Sequence, residues 1–115
     1  MYWTSIVQRT VQGVVVLDLH GQITLTGEDE HTLLRAVQRV LDAGDRHVVL
    51  NLASVSYLDS TGVGEIVGAY TRVAREGGHL KLCGVSARTE ELLRAANIDS
   101  VVPSYGSELA ALESF

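Results

Sequence analysis

Residues 47–78, HVVLNLASVSYLDSTGVGEIVGAYTRVAREGG, decide the fold. The run HVVLNL (47–52) is short, apolar and β-branched, as in a strand buried on both faces. Further on, Val63, Ile66, Val67, Tyr70, Val73 and Ala74 recur at i, i+3, i+4, i+7, i+10 and i+11, the period of an amphipathic helix. Asp59 or Ser60 stands where the N-cap belongs, because a short side-chain oxygen there accepts from a free N–H of the first turn. Gly77-Gly78 supplies the stop, and HLKLCGV (79–85) reads as the next strand. A strand, a helix and a strand in succession predict a parallel βαβ crossover.

Working outward, SIVQRTV (5–11) and VVVLDL (14–19) flank Gln12-Gly13 and predict an antiparallel hairpin. Glu28, Asp29 and Glu30 suit the positive end of a helix that continues through Leu33, Leu34, Val37, Val40 and Leu41 and stops at Gly44. On the other side, Ser86 caps a helix using Leu92, Leu93 and Ala96, with Asn97 suited to a left-handed stop. SVV (100–102) reads as a last short strand before Pro103, and SELAALESF (107–115) as a terminal helix. The predicted fold is α/β: an N-terminal β-hairpin leading into a mixed, mostly parallel sheet of four to five strands, packed by about four helices. Loops leaving the carboxyl ends of such strands are where ligands and partners meet the fold, and Asp59-Ser60-Thr61-Gly62 is one of them.

The 115 residues are expected to form one domain, 1–115. Nine basic against fourteen acidic residues give a net charge of −5, and Lys81 is the only lysine. That balance argues against binding nucleic acid or an anionic membrane. No apolar stretch reaches spanning length and the N-terminus does not read as a signal peptide, so no membrane insertion is expected. Cys83 is the single cysteine; it excludes an internal disulfide, suits a cytoplasmic setting, and reads as a buried structural thiol within LKLCGV.

Ser60 could in principle perform chemistry. A serine nucleophile in this architecture needs a base and a Gly-x-Ser-x-Gly elbow, but here the flanks are Leu58 and Gly62. His20, His31, His47 and His79 are scattered, and no spacing suits a metal. A phosphate-binding loop would need Gly-Lys-Ser/Thr. A phosphoacceptor role for Asp59 would need a further acidic pair and a late lysine, which are missing. No catalytic residue, cofactor or metal is therefore expected.

Ser60 can instead receive chemistry. At about 100° per residue, Ser60, Thr71, Gly64, Arg75 and Gly68 occupy the arc beside the apolar face of the helix. Two glycines there leave backbone bare for close approach by another protein. A phosphate on Ser60 would add about −1.5 to −2 charges, which a helix N-terminus tolerates. A partner burying that face would have to desolvate a dianion.

The stretch from His47 to Ser86, with its Asp-Ser-Thr-Gly-Val-Gly signature at 59–64, Gly77-Gly78 and the preceding hairpin with Gly21, resembles the STAS domain, specifically the bacterial anti-sigma factor antagonists. The resemblance implies a STAS fold and a chain that binds an anti-sigma factor with serine kinase activity, releasing a sigma factor for transcription. It implies phosphorylation of Ser60 by that kinase, with Thr61 the alternative acceptor, and reversal by a PP2C-type phosphatase. ATP would belong to the kinase. The implied partner surface comprises Thr24, Asp59, Ser60, Thr61, Gly62, Gly64, Gly68, Thr71 and Arg75. One departure falls at Thr24, where family members usually carry aspartate in a loop bordering the partner. A second implied use is as a regulatory or scaffold subunit of a transporter or stressosome-type assembly, which needs no phosphotransfer to this chain.

Overall fold

Gln12 and Gly13 both take positive φ, 54° and 80°, the geometry of a tight two-residue turn whose twist matches the strands it joins. The computed structural model describes residues 4–23 and 32–115, so the acidic run 28–30 and Thr24 lie outside the described residues. The turn joins β1 (Thr4–Val11) to β2 (Val14–Ile23). There follow α1 (Thr32–Asp42), β3 (His47–Leu58), α2 (Ser60–Arg75), β4 (His79–Cys83), α3 (Ala87–Ala95), β5 (Ser104–Tyr105) and α4 (Glu108–Glu113). The sheet order is β1-β2-β3-β4-β5, with the hairpin antiparallel and every other neighbour parallel, as expected.

Alternation along the strands divides the core. Val15, Leu17 and Leu19 of β2, Val48, Leu50 and Leu52 of β3, and Leu80 and Leu82 of β4 are buried with the apolar stripes of α1 and α2 and with Leu93 of α3. The intervening Val14, Val16, Val49 and Cys83 are buried against Ala111 and Leu112 of α4. The central strands are thus covered on both sides, which is why they read as unbroken apolar runs. Next to α4, Arg9 closes the sheet surface with charge. Its Nε lies 2.6 Å from Asp18 Oδ2, and it also pairs with Glu108. Asn51 donates to Asp18 Oδ1 at 2.8 Å. The Arg9 hydrogen bonds hold the Asp18 carboxyl below its ordinary range.

Four expectations change, the first being that the strand expected over 14–19 continues to Ile23. The strand expected over 47–52 continues to Leu58. It does so because β3 carries one residue more than β2 between Asn51 and Ser54, opposite Asp18 and His20, and another between Val55 and Tyr57, opposite Gly21 and Gln22. These irregularities absorb the small and polar residues that break the apolar pattern. The strand expected at 100–102 is a turn, with the N–H groups of Val101 and Val102 both donating to Ile98 O at 2.9 Å. Val102 plugs the core and Val101 is exposed; β5 is only Ser104–Tyr105, after Pro103 O accepts from Leu82 N at 2.8 Å. The buried stripe of α2 is Val63, Ile66, Ala69 and Val73, whereas Ala74, placed on that stripe by periodicity, is exposed. Packing against α1 as well as the sheet rotates the stripe toward Ala69.

A Cβ on Gly78 would lie 2.4 Å from Arg46 O and 2.9 Å from Val73 Cγ1, so the backbone passes where no side chain fits. Gly78→Ala is predicted to lower stability by about 2 kcal/mol, read from the urea midpoint at unchanged m. Cys83 is 1% exposed, and burial, reinforced by the negative charges of Glu108 and Asp18, pushes its thiol up to about 11. At pH 8 the thiol is therefore predicted to resist iodoacetamide in the folded protein and to alkylate once urea unfolds it, as mass spectrometry would read.

Candidate functional site

The length of β3 delivers Asp59 to the carboxyl edge of the sheet in extended conformation, φ −109° and ψ −174°. There its carboxylate Oδ1 accepts from Gly62 N at 3.0 Å, and its carbonyl accepts from Val63 N at 2.9 Å. Of the two candidates, Asp59 is thus the cap, and Ser60 is the first helical residue. Ser60 is exposed, and among the described residues nothing hydrogen-bonds its hydroxyl. Thr61 is half-buried and Gly62 is buried. Gly64 is exposed, and among the described residues a side chain there would meet nothing within 4 Å, so the helix backbone is open one turn below Ser60.

The remaining expected residues separate from this cluster. Gly68 does not lie on a bare face: a Cβ there would sit 3.1 Å from Leu34 Cδ2, so this glycine admits α1 against α2. Thr71 is half-buried and its hydroxyl donates to Val67 O at 2.9 Å, a bond within its own helix. Arg75 is exposed but ends α2, about 22 Å along the axis from Ser60 at 1.5 Å per residue. The structure therefore gathers Asp59, Ser60, Thr61, Gly62 and Gly64 and leaves Thr71 and Arg75 further down the helix.

Beside Ser60 runs a shallow groove of about 540 Å³ between the end of β3 and α3. Tyr57, Asp59 and Ser60 line one side, and Arg88, Thr89 and Glu91 the other. Tyr57 is 41% exposed, and the Arg88 guanidinium carbon lies 5.6 Å from its ring centroid. Two local devices hold α3 there. Gly84, at φ 68°, turns the chain out of β4, and a Cβ there would lie 2.9 Å from Ala53 and from Asn51 Oδ1, so only a residue without Cβ passes. Ser86 Oγ then accepts from Thr89 N at 3.2 Å and caps the helix. Because β3 and β4 are parallel neighbours, the first turns of α2 and α3 stand side by side. The sequence reading did not include Tyr57 or the α3 residues. The available signal was the Ser86 cap, but only the strand order sets it beside Asp59.

Chemically the site offers an exposed hydroxyl at Ser60. Among the described residues that line the groove there is no histidine, and the Asp59 carboxylate is engaged in the cap. Among the described residues no three His, Cys, Asp or Glu side chains gather as metal ligands would.

A five-stranded mixed sheet packed by four helices, with an exposed serine on the first turn of the helix that Asp59 caps, defines an α/β domain. The STAS domain family matches residues 5–111, and the chain belongs to that family. A relative, the anti-sigma F factor antagonist of Paenibacillus polymyxa, is 30% identical over 88% of this chain and 86% of its own length. An anti-sigma factor antagonist structure from Mycobacterium paratuberculosis shares the fold, with a TM-score of 0.84 over 97% of this chain and 93% of that one, at 20% identity. An anti-sigma-factor antagonist (STAS) domain protein from Planctomyces limnophilus gives a TM-score of 0.75 over 95% of each chain, at 25% identity.

Asp59→Ala removes the cap of α2 and is predicted to cost about 1 kcal/mol in urea unfolding. Asp59→Asn, whose amide oxygen still accepts from Gly62 N, is predicted to cost less.

Proposed function

We propose that this chain is an anti-sigma factor antagonist switched by phosphorylation of Ser60. Unphosphorylated, it binds an anti-sigma factor that is also a serine kinase, and so frees a sigma factor for transcription. The kinase transfers the γ-phosphoryl group of its ATP to Ser60 Oγ; the hydroxyl proton leaves, ADP is released and the complex parts. A PP2C-type phosphatase hydrolyses the ester and restores the binding form. The chain itself works as a binding protein rather than an enzyme, in the cytoplasm, with no nucleic acid contact of its own.

One observation carries the reading. Ser60 presents an exposed hydroxyl, not engaged by any described residue, on the first turn of a helix whose next turn is bare at Gly64. A kinase can reach that oxygen without unfolding anything, whereas Thr61 is half-buried, which favours Ser60 as acceptor. The similarity to a protein named as an anti-sigma F factor antagonist supports the partner class. Asp59, Thr61, Gly62 and Gly64 shape the central contact in this reading. Thr71 and Arg75 belong to its margins, Thr24 is a further contact residue in the same reading, and Gly68 acts from inside by setting the helix spacing.

The energetics suit an off-switch. A phosphate at the α2 N-terminus is neutral or mildly favourable for the fold, by about 0.3–1 kcal/mol. Burying a dianion under a partner costs several kcal/mol, and about 3 kcal/mol already exceeds a hundredfold in affinity. With the cognate anti-sigma kinase and ATP, mass spectrometry is expected to place a single phosphate on Ser60. Ser60→Asp is expected to keep the wild-type circular dichroism spectrum and melting temperature while binding the kinase at least about a hundredfold more weakly by calorimetry. An unmodified Ser60 with binding intact would overturn the switch. A pull-down that returns membrane transport proteins and no kinase would support the scaffold role instead.

A further inference from the structure

Arg88 has no carboxylate partner among the described residues, and its one polar or charged contact there is with the Tyr57 ring. Other arginines are engaged: Arg9 with Asp18 and Glu108, Arg46 with Glu76, and Arg94 with Glu90. Arg75 is also without a pair, but it ends α2, at the far end from Ser60. Arg88 alone among the arginines lines the groove that Ser60 lines. An unpaired guanidinium that lines the same groove as an exposed serine hydroxyl, held there by a weak aromatic contact, is a ready phosphate receptor. Arginine offers a planar fork that matches phosphate oxygens two at a time, and such a pair is stronger than an exposed cation–π contact.

We propose that a phosphoryl group on Ser60 is bound within the chain by Arg88, which leaves the Tyr57 ring and bridges the groove. The inference rests on the modification of Ser60 proposed above and adds what the modified residue does. The phosphate would then act twice on a partner: it places negative charge on the docking surface, and it withdraws Arg88 and closes the groove between β3 and α3. Among the described residues, the ionisable groups that line the groove with Ser60 are Asp59 and Glu91, whose charge opposes the second ionisation of the phosphate, Tyr57, and Arg88, which favours it.

The test uses the full chain with phosphoserine installed at position 60 during translation, so no kinase takes part. Failure of the kinase experiment above and failure of this one are therefore separate results. The second pKa of the phosphate, ordinarily about 6, is read by phosphorus NMR in four proteins: otherwise wild type, Arg88→Gln, Arg88→Lys and Arg94→Gln. Arg94 sits on the same helix, paired with Glu90 and outside the groove lining, and controls for net charge. The expected result is a pKa at least about half a unit lower with Arg88 than with Gln, an intermediate value with Lys, and no change from Arg94→Gln. Phosphorylation should also shift the Tyr57 ring resonances in the wild type and leave them in place in Arg88→Gln. Equal pKa values with Arg88 and Gln would overturn the proposal. So would an Arg94→Gln shift as large as that of Arg88→Gln, or loss of the folded amide spectrum on phosphorylation.

Discussion

The structure depends on β3 being paired on both sides, in parallel, with β2 and β4. That pairing buries Val48, Leu50 and Leu52 under α1 and α2, and Val49 under α4, so neither layer forms without it. It also sets where the polypeptide can turn. A parallel strand must be followed by a crossover, and the crossover must begin at the carboxyl edge. Asp59 stands at that edge because β3 takes up two extra residues against β2 before it ends. Ser60 is therefore held by the same constraint that builds the core, at a point where its own side chain carries none of the packing.

This separation of duties suits a switch. Asp59 satisfies the first turn of α2 and Gly62 is buried beneath it, while Ser60 and Gly64 are exposed, with none of the described residues packed on them. Charge can be added at Ser60 without disturbing a buried contact. The neighbouring helix α3 reaches the same edge through the tight passage of Gly84 over Ala53, so the surface around Ser60 belongs to two crossovers at once. A protein docking on this edge would meet both helices.

The glycines of α2 show how much of this was legible in the chain. Gly64 and Gly68 have the same spacing signal, four residues apart, and both were expected on an open face. Gly64 is open, but Gly68 lies against Leu34, because α1 approaches α2 closely enough that one turn must give up its side chain. Periodicity reports angle around an axis and not what stands opposite. Ala69 was missed from the buried stripe and Ala74 wrongly included for the same reason. Likewise a valine pair before Pro103 reads as a strand, yet one valine plugs the core and the other faces water.

By itself the sequence determined the hairpin through Gln12-Gly13, the alternation of strands and helices, the helix start at Asp59-Ser60 and the burial of Cys83. Each of these rests on interactions between residues near in the chain or on one apolar run, so the local pattern carries the information. Only the tertiary structure decided that β3 runs on to Leu58, that Gly68 faces inward, and that Tyr57 and Arg88 meet beside Ser60. Those facts depend on which strand lies next to which and how closely two helices pack. Nothing local in the chain encodes that, because the residues concerned come together only when the sheet is assembled.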